Sequence, residues 1–298
     1  MKPENVVKLV EVGPRDGLQS AKLVLHPHIR AKYIDMLIDS GIRNIEIGSF
    51  VSKKVPQMQQ TDEVVRLINK KSDVNLIALV PNKQYALNAI QSGVTELAVF
   101  TTISEQFSMK NSNCTIDQSL RNIRKVVELS KEYNIPVRGY ISCAFGCPYE
   151  GSELNYPYYT RTLSKYLIGI GCSSISIADT IGTATPKIIT STLNLLLRDV
   201  DPTRIGIHLH DTYGNAIENM KTCVEMGIRT FDCASGGLGG CPFAKGAPGN
   251  IATEKAIDLL DSLNLYHGVD KEKVILASNY IYRELNPLAI MEINKAKL

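Results

Sequence analysis

The sequence predicts an α/β protein whose eight parallel strands close into a (β/α)8 TIM barrel, and three observations support this. Eight short apolar runs rich in β-forming residues alternate with helix-like segments along the 298 residues. Several helix-like segments end in a glycine directly before the next run, which suits a left-handed helix C-cap. The G-x-G-x-x-G turn expected after the first strand of a dinucleotide-binding open sheet is missing. The alternation therefore favours the closed barrel over a doubly wound open sheet.

The predicted elements follow one another with short connections. Strands are predicted at Val7–Val12, Asn44–Ile47, Asn75–Val80, Glu96–Phe100, Val137–Cys143, Ser174–Ala178, Ile205–Leu209 and Thr230–Cys233. Helices are predicted at Ile29–Ser40, Thr61–Asn69, Lys83–Gln91, Ile116–Tyr133, Tyr158–Ile170, Pro186–Leu197 and Ala216–Met226, with C-capping glycines at Gly41, Gly93, Gly171 and Gly227. Residues 1–298 are interpreted as one domain, with the barrel at about 7–263 and helical sequence at about 264–298. Ala252–Leu263 is the eighth barrel helix, Lys271–Leu285 is an appended helix, and the last four residues are expected to fray.

Composition excludes several classes of partner. The 33 basic and 30 acidic residues give a net charge of +3, too balanced for a nucleic-acid-binding protein. No apolar run reaches the roughly 18 residues that a membrane-spanning helix needs. The first five residues carry neither a signal nor a transit pattern, so we expect a cytoplasmic protein. The seven cysteines include no paired C-x₂-C pattern and are interpreted as reduced thiols.

Two histidines at the end of the seventh strand indicate a metal site. His208 and His210 share one face of a strand, because side chains alternate faces along it. Asp16, in the loop after the first strand, can supply a carboxylate, and Asn250 can supply an amide oxygen. Such donors suit Mg²⁺, Mn²⁺ or Zn²⁺. The alternatives are two unrelated histidines and an Asx turn at Asp16.

Further ionisable residues lie at the same predicted rim, where barrels of this type place their active sites. Arg15 should point away from Asp16, where it can hold a carbonyl oxygen that gains negative charge, or pair with Glu46. Glu46 lies between two isoleucines and should face the barrel interior, where an unpaired carboxylate is costly.

Two more charged residues have a functional and a structural interpretation. Asp179 ends the sixth strand and is a candidate catalytic acid, or a cap for the helix that begins near Pro186. Arg138, within the fifth strand, can bind a substrate carboxylate or pair with Glu46 or Asp179.

The glycine-rich loop at residues 236–250 has the position of a lid over the barrel mouth. Its glycine content predicts mobility. Cys241 lies in this loop and can act as a general acid or base, or be an inert thiol in a turn.

Five segments together resemble the hydroxymethylglutaryl-CoA lyases, over about Val7 to Leu263. They are Val12–Gln19, Phe145–Tyr149, Asp179–Gly182, His208–Thr212 and Gly237–Pro242. The last segment is specific to the lyases, whereas the Arg-Asp-Gly and His-x-His pieces also occur in related metal-dependent synthases and aldolases. The resemblance implies retro-Claisen cleavage of (S)-3-hydroxy-3-methylglutaryl-CoA to acetyl-CoA and acetoacetate. The alternative is a related lyase for another 3-hydroxy-3-alkylglutaryl-CoA, or a Claisen-type synthase.

The resemblance also implies roles for individual residues. The metal ligands fall on Asp16, His208, His210 and Asn250; the carbonyl-polarising arginine on Arg15; the catalytic thiol on Cys241; supporting acids on Glu46, Asp179 and Glu254; and substrate contacts on Arg15, Lys22, Arg138 and Gly240. The base that deprotonates the hydroxyl stays open between His208, Asp16 and a metal-bound water.

The implied cofactor is a divalent cation, with Mg²⁺ or Mn²⁺ ahead of Zn²⁺. The implied partner is a small acyl-CoA, with no nucleic acid and no membrane. We expect a homo-oligomer, either a dimer or a tetramer, and a place in leucine catabolism and ketone body formation.

Overall fold

The computed structural model describes residues 5–69, 72–151, 154–241 and 244–286, and within them the predicted barrel is confirmed. Eight parallel strands close in chain order, each paired with its neighbours and β1 with β8. Their bounds are β1 Lys8–Glu11, β2 Asn44–Ser49, β3 Asn75–Leu79, β4 Glu96–Thr102, β5 Val137–Ser142, β6 Ser174–Asp179, β7 Ile205–Leu209 and β8 Thr230–Cys233. The carboxyl ends of all eight strands therefore meet at one rim.

The helices surround the barrel. Their bounds are α1 Pro27–Asp39, α2 Thr61–Leu67, α3 Lys83–Ser92, α4 Glu105–Ser112, α5 Ile116–Glu132, α6 Tyr156–Ile170, α7 Pro186–Leu196, α8 Ala216–Glu225, α9 Thr253–Ser262 and α10 Lys271–Leu285. The four predicted C-cap glycines all have positive φ. α4 is an addition that the sequence analysis did not predict. Among the described residues, no helix is long and apolar enough to cross a membrane.

Apolar side chains fill the space between the strands and the helices. Ile34 and Leu37 of α1 are fully buried, as is Ile45 of β2. Burying each such side chain contributes roughly 1.5–3 kcal/mol. Inside the barrel, by contrast, charged residues are buried on several strands, including Glu46 on β2, Asp179 on β6 and Asp232 on β8. The helix layer thus supplies the apolar core, while the barrel interior carries charge.

The appended helix α10 packs against α1 and against the connection after β8. The Asp270 backbone N–H, at the start of α10, donates to the Ser40 carbonyl at the end of α1, at 2.7 Å. The predicted bounds of this helix are confirmed. The predicted fraying at 295–298 lies outside the described residues.

The glycine-rich segment after β8 is more regular than predicted. It forms an antiparallel hairpin between β9, Gly240–Cys241, and β10, Ala244–Pro248. Antiparallel backbone hydrogen bonds give this segment a defined conformation that its glycine content did not predict.

The cysteines whose side chains are described are free thiols. Cys143, Cys172, Cys223 and Cys233 are buried, while Cys114 and Cys147 are partly exposed. The interpretation of these six as reduced thiols is therefore confirmed.

Candidate metal centre and active site

Three side chains at the barrel rim form a cluster with the geometry of a metal site. The Nε2 atoms of His208 and His210 lie 3.2 Å apart. The Asp16 Oδ2 atom lies 3.9 Å from the His208 Nε2 atom and 4.0 Å from that of His210. Among the described residues, this is the one group of three or more His, Cys, Asp or Glu side chains placed to hold an ion. Bonds of about 2.1 Å to an octahedral cation put neighbouring donors about 3 Å apart, so the cluster needs only a small contraction.

The backbone explains why Asp16 reaches the histidines. Residues Gly13–Gly17 form a single π-helical turn directly after β1. The Val12 carbonyl accepts from the backbone N–H groups of Arg15, Asp16 and Gly17, at 3.1, 2.7 and 3.3 Å. Such π turns are rare in proteins, and those that occur are often found at functional sites. The Asx turn considered for Asp16 is not what forms here, because its carboxylate bonds Arg15 and Asn250.

Asn250 adjoins the cluster from the far end of the glycine-rich segment. Its Nδ2 atom donates to Asp16 Oδ2 at 2.9 Å and to the Leu238 carbonyl at 3.2 Å. Its Oδ1 atom is buried and has no hydrogen-bond partner among the described residues. The backbone of Asn250 bridges that of His210. Asn250 therefore holds the Asp16 carboxylate in this structure. To act as a metal ligand, its side-chain amide would have to turn so that Oδ1 faces the cluster.

The residues present fit a divalent cation. Two imidazoles and one carboxylate offer nitrogen and oxygen donors, and the buried Asn250 Oδ1 atom lacks a partner. An unpaired buried polar atom is costly, so this oxygen is a candidate fourth ligand. The set suits a hard or borderline dication.

Electrostatics prepares the cluster for a cation. Burial raises the pKa of Asp16, but Arg15 and the two histidines outweigh it, and the pKa lies well below its ordinary value. Burial and the neighbouring His208 lower the pKa of His210 to about 4. Burial also lowers the pKa of His208, but Asp232 and Asp16 outweigh it, so the net direction is upward. Asp16 is therefore anionic and His210 neutral at pH 7, the forms that bind metal.

Arg15 is held by two carboxylates, and the prediction that it points away from Asp16 is wrong. Its Nη1 atom lies 2.6 Å from Asp16 Oδ1 and its Nη2 atom 2.7 Å from Glu46 Oε2. The expectations that Glu46 is buried and that it pairs with Arg15 are confirmed. Tyr140 donates its hydroxyl to Glu46 Oε2 at 3.3 Å, and its ring lies 5.6 Å from the guanidinium carbon of Arg15. The planar guanidinium satisfies both carboxylates at once because its two Nη atoms diverge.

Asp179 is a buried acid with one unused oxygen. Its Oδ2 atom accepts the backbone N–H of Ala184 at 3.1 Å, while Oδ1 has no partner among the described residues. Asp179 therefore organises the loop before α7 and does not cap that helix at Pro186. Burial raises its pKa to about 7. A carboxyl group with this pKa can take up or release a proton near neutral pH.

Arg138 has a partner that the sequence analysis did not consider. Its Nη2 atom lies 2.5 Å from the Oδ1 atom of Asp232, and both side chains are buried. The alternatives considered for it were Glu46 and Asp179, and neither is its ion-pair partner. Its guanidinium is paired inside the barrel, and its predicted contact with a substrate carboxylate stays a prediction.

Asp232 is the site residue that sequence reasoning missed. It lies in β8 between Phe231 and Cys233, and it is 1% exposed. Its Oδ2 atom lies 3.3 Å from His208 Nδ1. The argument that placed Glu46 inside the barrel, an acid between two apolar residues of a strand, would have found it.

Two other predicted residues lie further from the cluster. Lys22 has an exposed side chain in the connection between the π turn and α1. Glu254, at the start of α9, accepts the Gly236 backbone N–H with both oxygens, at 2.9 and 2.8 Å, and the Ser278 hydroxyl at 3.0 Å. Glu254 therefore holds the turn from which the glycine-rich segment begins.

The hairpin carries the two remaining predicted residues. Gly240 and Cys241 form β9. The side chains of 240–248 lie outside the described part of the structure, so the role of the Cys241 thiol and the substrate contact at Gly240 stay predictions.

Comparison with known proteins agrees with this geometry. The family described as HMGL-like matches residues 6–281. The rat protein named 3-hydroxy-3-methylglutaryl-CoA lyase, cytoplasmic, is 44% identical over 291 residues, which cover 97% of this chain and 84% of the rat protein.

Two solved structures share the fold closely. The hydroxymethylglutaryl-CoA lyase from Pseudomonas aeruginosa has a TM-score of 0.91 and 41% identity, over 94% of this chain and 93% of that chain. An HMG-CoA lyase from Acinetobacter baumannii, in complex with coenzyme A and 3-methylmalate, has a TM-score of 0.89 and 31% identity, over 96% of this chain and 92% of that chain.

Proposed function

The chain belongs to the HMGL-like family, and from this premise we propose that it is a divalent-metal-dependent carbon–carbon lyase. It cleaves (S)-3-hydroxy-3-methylglutaryl-CoA to acetyl-CoA and acetoacetate. The observation that carries the proposal is the cluster of Asp16, His208 and His210 with Arg15 beside it, at the rim where barrel enzymes react. The rat and Pseudomonas relatives bear the name of this activity, and the Acinetobacter relative binds coenzyme A.

The reaction makes two demands on the protein. The tertiary hydroxyl of the substrate must lose a proton, and the departing thioester enolate must be stabilised. The cation, held by Asp16, His208, His210 and in our proposal Asn250, would acidify the hydroxyl and orient the substrate. These ligands are presented by three separate segments of the chain, so the barrel must fold before the site exists.

Arg15 supplies the stabilisation of the enolate oxygen. Its guanidinium is buried and oriented by Asp16 and Glu46, and its Nε atom has no partner among the described residues. A preoriented donor costs no reorganisation when charge develops on the thioester oxygen.

We assign proton transfer to two residues, Asp179 and Cys241. Asp179, with an unpartnered buried oxygen and a pKa of about 7, suits the group that receives the hydroxyl proton, directly or through a water. Cys241 is proposed to protonate the enolate carbon. The hairpin that carries Cys241 would bring it over the substrate. Glu46 orients Arg15, and Glu254 holds the start of the hairpin segment.

The finer assignments belong to the same proposal. We propose Mg²⁺ or Mn²⁺ as the ion, Lys22 and Gly240 as contacts for the acyl-CoA, and a homo-oligomer as the working form. A cytoplasmic location follows the name of the rat relative. The pathway proposed is leucine breakdown with formation of ketone bodies.

An assay with defined metal content tests the activity. The purified protein is stripped with a chelator and supplied with Mg²⁺ or Mn²⁺ and with 3-hydroxy-3-methylglutaryl-CoA, and acetoacetate and acetyl-CoA are measured. We expect both products in equal amounts, with none in the stripped protein. A longer-branched 3-hydroxyglutaryl-CoA is run in parallel, and faster cleavage of it would overturn the substrate assignment. If no product forms with either metal, the lyase proposal is wrong.

A further inference from the structure

A second carboxylate lies behind His208, on the side away from the metal cluster. The His208 ring presents Nε2 to the cluster, and its Nδ1 atom lies 3.3 Å from Asp232 Oδ2. Both side chains are buried, at 5% and 1% exposure. The ring is therefore held between two carboxylates, that of Asp16 in front and that of Asp232 behind.

The strand register produces this arrangement. His208 of β7 pairs directly with Asp232 of the neighbouring parallel strand β8. Paired residues on adjacent strands project to the same face, which here is the barrel interior. A ring and a carboxylate at this spacing can bond without any distortion of the backbone.

The charge of Asp232 is compensated within the barrel. Arg138 Nη2 lies 2.5 Å from Asp232 Oδ1, and the Ser176 hydroxyl donates to Oδ2 at 2.8 Å. The Tyr140 ring lies 5.3 Å from the guanidinium carbon of Arg138. Gly206 leaves room for this guanidinium, because a Cβ atom at that position would lie 2.7 Å from Arg138 Nη2. Asp232 can therefore stay ionised, since a buried carboxylate persists when it is paired and hydrogen-bonded.

We propose that Asp232 is a positioning residue for the cation site. It accepts the Nδ1 proton of His208, which leaves the lone pair of Nε2 free and aimed at the ion. Arg138 and Ser176 keep the carboxylate in place. This inference rests on the proposed cation site, and it gives Arg138 a role in holding the carboxylate behind the metal ligand.

Metal affinity of the chelator-treated protein is the first test. Mn²⁺ is titrated into the parent and into Asp232→Asn by calorimetry, without substrate. Loss of a carboxylate behind a ligating histidine typically weakens metal binding by roughly 10- to 100-fold, and we expect a loss in this range. Asp199→Asn, which makes the same chemical change at a carboxylate paired with Arg161 and Lys165 on the barrel exterior, should bind like the parent. Parent-like affinity in a folded Asp232→Asn protein would overturn the proposal.

The histidine tautomer provides a second test that does not depend on Asp232→Asn. The metal-free parent is labelled with ¹⁵N, and the ring nitrogens of its five histidines are recorded at high pH, with His208 assigned from His208→Gln. We expect the proton of His208 on Nδ1 and a bare Nε2. A proton on Nε2 would overturn the proposal even if Asp232→Asn did not fold. If the parent binds no Mn²⁺ but shows the expected tautomer, the proposed function fails and the ring orientation stands.

Discussion

Replacement of Arg15 by glutamine should cause two losses that can be measured separately, one in stability and one in rate. The guanidinium is the cationic partner of Glu46, whose side chain is fully buried, at an Nη2–Oε2 distance of 2.7 Å. Glutamine keeps most of the side-chain volume but not the charge. The variant must therefore bury an unpaired carboxylate or let it take up a proton.

Proton uptake sets a ceiling on the stability loss. The ordinary pKa of a glutamate is 4.5, and each pH unit above it costs about 1.4 kcal/mol to keep the group protonated. At pH 7 the ceiling is thus about 3 kcal/mol, near the lower end of the range for breaking a buried ion pair. Burial raises the pKa of Glu46 in the parent, with Arg15 opposing that shift. Without Arg15 the folded pKa rises further, so the variant loses stability relative to the parent as pH rises.

The rate should fall by roughly two to three orders of magnitude, the usual cost of one oxyanion donor. Urea unfolding at pH 5 and pH 8 measures stability, and acetoacetate release measures kcat. The double variant Arg15→Gln/Glu46→Gln carries no buried charge at this pair, so it should regain stability but not activity. Arg66→Gln breaks an exposed pair with Asp62 and should cost no more than about 1 kcal/mol. A rate within a few-fold of the parent would refute the catalytic role, and a stability loss relative to the parent that is the same at pH 5 and pH 8 would refute the ion-pair reasoning.

Three further predictions concern groups around the glycine-rich segment. Burial raises the pKa of Glu11 to about 7, so between pH 4.5 and 7 the folded state holds a proton that the unfolded state releases, and stability should fall by up to about 3 kcal/mol. Urea titrations should show a flatter pH dependence of stability for Glu11→Gln than for the parent. The same pH dependence in both proteins would contradict this. Tyr282→Phe removes the hydroxyl that donates to the Gly236 carbonyl at 2.9 Å, so backbone hydrogen exchange in the hairpin should quicken by several-fold. Tyr280→Phe is the control variant. Unchanged protection of residues 236–241 in Tyr282→Phe would count against a stabilising role of this contact. An alkylating reagent should inactivate the parent but spare the residual activity of Cys241→Ser, and equal inactivation of both would exclude this thiol.

Local patterns were sufficient for the regular elements. The predicted bounds of β7, Ile205–Leu209, and of α10, Lys271–Leu285, match the structure residue for residue. Both follow from the spacing of apolar residues and from flanking cap or turn residues, which are properties of a short stretch of chain. The alternation of eight such units then left few arrangements other than a closed barrel.

Short elements with weak patterns were missed. α4, Glu105–Ser112, has few apolar residues, and of these Phe107 is buried. The Ser104 hydroxyl, which accepts the Phe107 N–H at 3.0 Å, was the available signal for its start. The hairpin between β9 and β10 lies in a sequence rich in glycine, where pairing depends on contacts outside the segment.

The order of strands and helices along the chain was sufficient to predict the barrel, its rim and the candidate cation ligands Asp16, His208 and His210, because strand alternation and position along the chain are local properties. Tertiary structure decided which charged groups pair inside the barrel. Arg15 turned toward Asp16, and Arg138 paired with Asp232. Such pairs depend on the register of neighbouring strands and on distances of a few ångströms between residues far apart in the chain. The low dielectric of the interior makes each unpaired charge costly, so the partners are settled only when all eight strands are in place.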